Sequence, residues 1–166
     1  MTLSILGMGF DHPAGVIDNK FLENLDVGTN EQWILEKIGI VTRRTTLPLD
    51  YIRDTRNLDP REAVKVASDT PTQMGERASR MALQRAGIKP EQIGMLICNC
   101  CTPIQLAPAE SQRIAKALQI KCKSFDVFTA CPAFALHVDF LNCYRPELLP
   151  EYVLCVSTAA LTQHVN

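Results

Sequence analysis

The chain has 166 residues, of which 46% are hydrophobic and 21% charged, with a formal net charge of −1. That length fits one domain or a piece of one, and the apolar fraction excludes wholesale disorder. Seventeen Lys and Arg stand against eighteen Asp and Glu, so no basic surface of the kind that holds nucleic acid or anionic lipid is expected.

Taken in chain order, Ser4 to Met8 is a short apolar run closed by Gly7 and Gly9, which predicts a first strand followed by a loop through Asp11, His12 and Pro13. Asn19 to Leu25 and Thr29 to Ile38 carry apolar residues at helical spacing, and Gly39 follows as a stop, so two short helices are predicted. Ile40 to Thr46 is β-branched, and the charged stretch Tyr51 to Lys65 lacks a clear period and is read as surface. Thr70, Pro71 and Gln73 form a helix start with a capping box. Met74, Ala78, Met81, Ala82 and Ala86 then make one apolar stripe, and Gly87 supplies a left-handed stop. Met95 to Cys100 reads as a buried strand, Pro108 to Leu118 as a helix, Ser124 to Thr129 as a strand, Pro132 to Leu141 as a helix and Tyr152 to Ser157 as a strand. This alternation implies an α/β sheet covered on both faces. Thr158 to Asn166 runs on without a closing turn, cap or polar tail, so the architecture is expected to stop midway.

The seven cysteines, Cys98, Cys100, Cys101, Cys122, Cys131, Cys143 and Cys155, are odd in number and unevenly spaced, which does not read as a disulfide framework. The N-terminus has no basic leader, long apolar run or small-residue cleavage site. A reduced, cytoplasmic protein is expected. No apolar stretch approaches the roughly 18 residues that span a bilayer, so no membrane span is expected.

Cys131 is the candidate nucleophile. It follows a predicted strand by a short step, and Pro132 suits the first helical position, which places Cys131 at or beside the helix N-cap. There the helix dipole and unpaired backbone N–H groups favour a thiolate. On local features alone, a small apolar core cysteine remains the alternative.

Phe125-Asp126-Val127-Phe128-Thr129-Ala130-Cys131-Pro132-Ala133-Phe134 resembles the nucleophile segment of the 3-oxoacyl-[acyl-carrier-protein] synthase III family of thiolase-like condensing enzymes. Gly7-Met8-Gly9 resembles that family's opening strand and turn. Glu31-Gln32-Trp33-Ile34, with Ile38-Gly39-Ile40 and Arg43-Arg44, resembles its Asp-Glu-Trp-Ile and Thr-Gly-Ile-x-x-Arg segment, and Ala86 to Ile93 resembles the turn after its long helix. The likeness spans nearly the whole chain but only the first half of the family's fold. It implies one N-terminal half-domain, residues 1–166, of a layered α-β-α architecture that a second half completes.

The resemblance further implies that Cys131 takes an acyl group from an acyl thioester, usually acyl-coenzyme A, before a Claisen condensation with a malonyl or second acyl thioester. Its own backbone N–H would help hold the oxyanion. No permanently bound cofactor is implied. The histidine and the asparagine, or second histidine, that promote decarboxylation would come from the missing half, as a separate polypeptide, a cleaved product or a part absent from the expressed chain. None of His12, His137 and His164 matches them, and His137 lies six positions beyond Cys131 on the predicted helix. Trp33 and Lys37 are the candidate coenzyme A contacts, with Lys37 where relatives often carry Arg, which keeps the charge and loses the planar fork. Ala133 replaces a family glycine and Ala107 an often bulky residue, which implies a roomier pocket and a longer or bulkier acyl group. Acyl carrier protein as a partner and a dimer of the complete unit also follow from the likeness.

Other patterns weigh less. The C-x-x-C spacing of Cys98 to Cys101 lies on a predicted strand without a second pair, and reads as core rather than zinc ligation. His12 occupies the third glycine's place after Gly7 and Gly9, so no dinucleotide fingerprint forms. Trp33 is either a core anchor or a stacking surface, Arg43 and Arg44 are read as solvated or as a phosphate contact, and Met74 and Met81 as core. Besides the condensing enzyme, a non-enzymatic half-domain that stabilises a synthase partner remains open. A cysteine hydrolase or redox protein ranks last, for want of an in-chain Cys–His arrangement.

Overall fold

The computed structural model describes residues 2–164; the leader and C-terminal readings extend onto Met1, Val165 and Asn166, which lie outside the described residues. The chain divides into two units, one of residues 2–11 and 70–159, the other of residues 12–69 and 160–164. In chain order the elements are β1 (Gly15–Asp18), α1 (Asn19–Asn24), α2 (Glu31–Lys37), β2 (Thr42–Thr45), α3 (Leu49–Thr55), α4 (Pro60–Val66), α5 (Pro71–Ala86), β3 (Ile93–Cys100), α6 (Glu110–Leu118), β4 (Lys123–Asp126), α7 (Ala133–Asn142) and β5 (Tyr152–Thr158).

The first unit is a parallel sheet in the order β4-β3-β5. β3 is uncharged and β-prone, so it takes the centre, where both faces are dry. Alternate residues serve opposite faces. Leu96, Cys98 and Cys100 join Leu83, Ile114, Leu118, Leu154 and Val156 in one core cluster. Met95 and Ile97 join Leu141, flanked by Phe125, Val153 and Cys155, in the other. The expectation of a sheet covered on both faces therefore holds.

α5 has the predicted start and stop. Thr70 Oγ1 accepts from the Gln73 N–H at 3.2 Å, Gln73 Oε1 accepts from the Thr70 N–H at 2.9 Å, and Gly87 ends the helix with φ +67°. The predicted stripe is present, with Met74 buried and Ala78, Met81, Ala82 and Ala86 half-buried, but the helix carries a further buried row beside it. Pro71, Gly75, Ser79 and Leu83 form a buried row along the helix. Gly75 lets the helix close on α6 and β5, since a Cβ there would lie 2.7 Å from Ile114 Cδ1 and 3.4 Å from Val156 Cγ1. Ala78, Ala82 and Ala86 form the second row, which carries the N-terminal segment.

That segment is not the predicted strand. No strand pairs with it among the described residues; Leu3 packs against the cluster of Met95 and Ile97, and the backbone at Gly7 and Gly9 presses on the alanine row. A Cβ on Gly9 would meet Ala78 O at 2.0 Å and one on Gly7 would meet Ala82 O at 2.4 Å, so only glycine fits. Arg85 donates to the Met8 carbonyl at 2.9 Å, and Arg77 pairs with Asp11 at 2.8 Å. The apolar side chains of Ile5, Leu6 and Met8 point outward and are more than half exposed.

The second unit pairs β1 with β2 antiparallel, Gly15 opposite Thr45 and Asp18 opposite Thr42. Both predicted short helices are present as α1 and α2, capped by Asp18 and Asn30. The stretch Tyr51 to Lys65, read as surface without a clear period, is mostly exposed and runs through two helices, α3 and α4. Pro60 with the Asp59 cap starts α4, yet Ala63 is the one residue buried in either helix, so no apolar period shows. The C-terminal run also contains a closing turn that the sequence did not announce. Leu161–Gln163 forms a 3-10 turn, and Gln163 Nε2 donates to Thr46 Oγ1 at 2.9 Å and to the Asp69 carbonyl at 3.3 Å. Among the described residues, no helix is long and apolar enough to cross a membrane.

Candidate functional site

Cys131 lies in the turn that carries the chain from β4 into α7, and it is exposed. The predicted cap is shifted by one residue: Pro132 is the N-cap, with φ −81° and ψ 12°, and Ala133 is the first helical residue. The reason is that the Pro132 carbonyl accepts the first helical bond, from Leu136 at 3.0 Å. Cys131 thus precedes the cap by one residue, still at the positive end of a helix ten residues long.

Side chains from neighbouring elements fix the approach to Cys131. β4 ends at Asp126, and Val127 adds one more bond by donating to the Cys98 carbonyl at 2.8 Å. From there the ladder gives way to side chains. Asn99 Oδ1 accepts from the Thr129 N–H at 2.8 Å, and the Cys101 thiol donates to the Thr129 carbonyl at 3.0 Å. The Asp126 carboxylate crosses to α6, whose own cap position is Ala109 and offers no side-chain acceptor. Its two oxygens accept from Glu110 N and Ser111 N, each at 2.9 Å, so a residue from β4 caps α6. Glu110 is fully buried and accepts from the Thr72 hydroxyl.

The remaining cysteines sort by burial. Cys98 and Cys100 are core residues of β3 and Cys155 is half-buried on β5. Burial pushes the Cys98 thiol far up, and pushes Cys100 and Cys155 up to about 11 each. Cys131 and Cys143 are the exposed pair. The C-x-x-C spacing splits accordingly, with Cys98 in the core and Cys101 bound to Thr129. Among the described residues, no group of three or more His, Cys, Asp and Glu is placed to hold a metal ion. His137 is fully buried on α7, and burial lowers its pKa.

Trp33 and Lys37 belong to the other unit. One helical turn apart on α2, they share a face, and both are exposed. Trp33, at 49% exposure, is therefore not the core anchor that was one of its two readings. Arg43 is half-buried: its guanidinium donates to Oδ1 of the buried Asn19 at 2.6 Å, while Asn19 Nδ2 donates to the Ile40 carbonyl at 2.8 Å. Arg44 reaches the Pro13 and Ala14 carbonyls.

Sequence reasoning missed Asn99, Cys101, Asp126 and Glu110. Their partners lie 15 to 38 residues away along the chain, so no local spacing could reveal them.

The fold matches the N-terminal half of thiolase-like synthase structures. The structure matches 3-oxoacyl-[acyl-carrier-protein] synthase III from Aquifex aeolicus with a TM-score of 0.80 and 25% identity, covering 98% of this chain and 46% of that one. It matches the priming β-ketosynthase of the R1128 polyketide biosynthetic pathway with a TM-score of 0.76 and 26% identity, covering 95% of this chain and 42% of that one. In sequence, the chain is 29% identical over 167 aligned residues to the β-ketoacyl-[acyl-carrier-protein] synthase III of Sodalis glossinidius, covering all of this chain and 46% of the relative. No family model matches. The likeness is thus to the 3-oxoacyl-[acyl-carrier-protein] synthase III-like condensing enzymes, and the chain spans a little under half the length of the curated relatives it matches.

Proposed function

We propose that this chain is the nucleophile-bearing half of a synthase III-like condensing enzyme and that Cys131 is its acyl acceptor. The observation that carries the reading is the exposed Cys131 at the N-terminal end of α7, in a chain similar from end to end to synthases III. The thiolate attacks the carbonyl carbon of an acyl-coenzyme A, a new carbon–sulfur bond forms, and the bond to the coenzyme A sulfur breaks. Coenzyme A leaves and takes up the proton that Cys131 gave away. The Cys131 N–H contributes one donor to the oxyanion that develops between the two thioesters. A carbanion made by decarboxylating a malonyl thioester, or a second acyl donor, then attacks the acyl-cysteine and regenerates the thiol.

The histidine and asparagine for decarboxylation belong to the half of the relatives' length that this chain does not span. Trp33 and Lys37 meet the nucleotide end of coenzyme A, the indole by stacking and the ammonium by charge. Ala133 and Ala107 leave room for an acyl group longer than acetyl. The complete unit works in the cytoplasm as a dimer, with acyl carrier protein as a partner, and needs no resident cofactor.

Denaturing intact-mass measurement of the purified assembly, mixed with a series of acyl-coenzyme A thioesters, tests this reading. The expected result is an acyl mass on this chain, lost in Cys131→Ala, with medium chains taken up in preference to acetyl. No uptake despite a co-purifying partner chain would overturn it in favour of a non-catalytic half-domain that stabilises that partner. Preference for acetyl would overturn the roomier pocket alone.

A further inference from the structure

We infer that Asn99 and Cys101 are positioning residues that hold the Cys131 turn by clamping Thr129; for catalysis, this rests on Cys131 being the acyl acceptor. A strand that ran straight on from Asp126 would keep its backbone in the ladder with β3 and carry Cys131 past the sheet. The chain must instead leave the ladder, cross to the start of α7 and still be fixed. Backbone pairing with β3 ends with the bond from Val127 N to the Cys98 carbonyl at 2.8 Å. Two residues later, both backbone polar groups of Thr129 are taken by side chains at and just past the end of β3. Asn99 Oδ1 accepts from the N–H at 2.8 Å, and the Cys101 thiol donates to the carbonyl at 3.0 Å.

The two clamping side chains also meet each other, Asn99 Nδ2 lying 3.9 Å from Cys101 Sγ. Asn99 is 5% exposed and sits at the end of the central strand, so its position is set by the core rather than by solvent. A buried amide in an otherwise apolar strand carries a desolvation cost, and here that cost is offset only by what it binds. The turn that follows, closed by Ala133 N on the Ala130 carbonyl at 3.2 Å, hangs from this clamp and carries Cys131. Neither side chain reaches Cys131 itself, so both act through the backbone of Thr129. Attack on a thioester carbonyl is sensitive to displacements of about 1 Å, which lie within what a released loop would make.

The test uses the complete enzyme, this chain together with whatever carries the remaining half, with Asn99→Ala, Cys101→Ala, Cys101→Ser and, as a packing control, Cys155→Ala. Three quantities are read: the single-turnover rate of Cys131 acylation by acyl-coenzyme A, the rate of Cys131 alkylation by iodoacetamide, and amide hydrogen exchange over residues 127–133. The clamp predicts that Asn99→Ala and Cys101→Ala slow acylation by about tenfold or more while alkylation, which needs no aligned carbonyl, stays within about threefold. Exchange should rise in that segment alone, and Cys101→Ser, which keeps a donor, should restore both readouts.

Acylation within about twofold of the parent in both alanine variants would overturn the inference, as would an equal loss in Cys155→Ala. A parent whose Cys131 is alkylated but never acylated would sink the acyl-acceptor reading and the catalytic consequence of the clamp together. The clamp itself would then stand or fall on exchange: unchanged protection of residues 127–133 in both alanine variants would refute it.

Discussion

Acidification is expected to weaken the fold through His137. Its imidazole is fully buried in the α7 row of Ala133, His137 and Leu141, and neither ring nitrogen has a hydrogen-bond partner among the described residues. Burial disfavours the imidazolium, so the folded pKa lies below the ordinary 6.5. The unfolded chain takes up a proton as pH falls through about 6.5, while the folded chain resists. Below that pH the unfolded state binds more protons, so stability declines as pH drops and stops declining only once the folded value is passed. The slope approaches about 1.4 kcal/mol per pH unit, and from pH 7.5 to 5.5 the loss reaches about 1.4 kcal/mol at most. Urea unfolding followed by far-ultraviolet circular dichroism at steps between those pH values measures it, with His137→Leu as the comparison. Leucine cannot titrate and leaves no orphaned ring nitrogen, so the variant should be at least as stable at neutral pH and should lack this part of the pH dependence. His12 and His164 are exposed and present in both proteins, so their contributions cancel. Equal losses in parent and variant, within about 0.3 kcal/mol, would refute the reasoning.

Two further outcomes follow from the same packing. Asp126→Ala removes the acceptor for two N–H groups of α6 and should lower unfolding stability by about 2 kcal/mol, with Asp126→Asn intermediate, since the amide keeps one oxygen; a loss under about 0.5 kcal/mol in the alanine variant would mean that water caps the helix instead. Peptide mapping after brief alkylation at pH 8 should find Cys131 and Cys143 modified first. Cys100 and Cys155, with pKa values near 11, carry only about 0.1% thiolate at that pH and should react after denaturation alone. Native-state labelling of Cys100 at the Cys131 rate would contradict its place in the core.

The parts of the fold legible in the sequence are those whose information is local. α5 could be read to the residue at both ends, because a capping box, an N1 proline and a left-handed glycine act within four residues of where they sit. β3 was legible because a central parallel strand must be apolar on both faces. The failures occur where burial depends on a distant partner. Ser4 to Met8 has the composition of a strand, but strand formation needs a neighbour to pair with, and the neighbour at hand is the alanine row of α5. That row reads only as an apolar stripe, because Ala serves equally as a core filler and as a seat for glycine backbone. α3 and α4 bury one residue between them, so no periodicity could mark them; only the Asp59 and Pro60 pair signals the start of α4.

The candidate site divides along the same line. Cys131 stands out from its neighbours because proline after a cysteine marks a helix start, and the structure moves that start by one residue only. What keeps the cysteine in place is invisible at that scale. Asn99 and Cys101 act on Thr129 across 30 and 28 residues, and the segment that holds them reads as nothing more than a cysteine-rich stretch at the end of a core strand. The pairing becomes intelligible once the sheet order places the end of β3 beside the end of β4. In a parallel sheet the residues at the carboxyl ends of adjacent strands converge whatever their separation along the chain. Polar residues at the end of an apolar strand, such as Asn99 after Leu96, Ile97 and Cys98, are therefore the signal that sequence reading should have weighed. They are costly to bury, and their compensating partners are to be sought at the same end of the neighbouring strand, where here the turn that carries Cys131 begins.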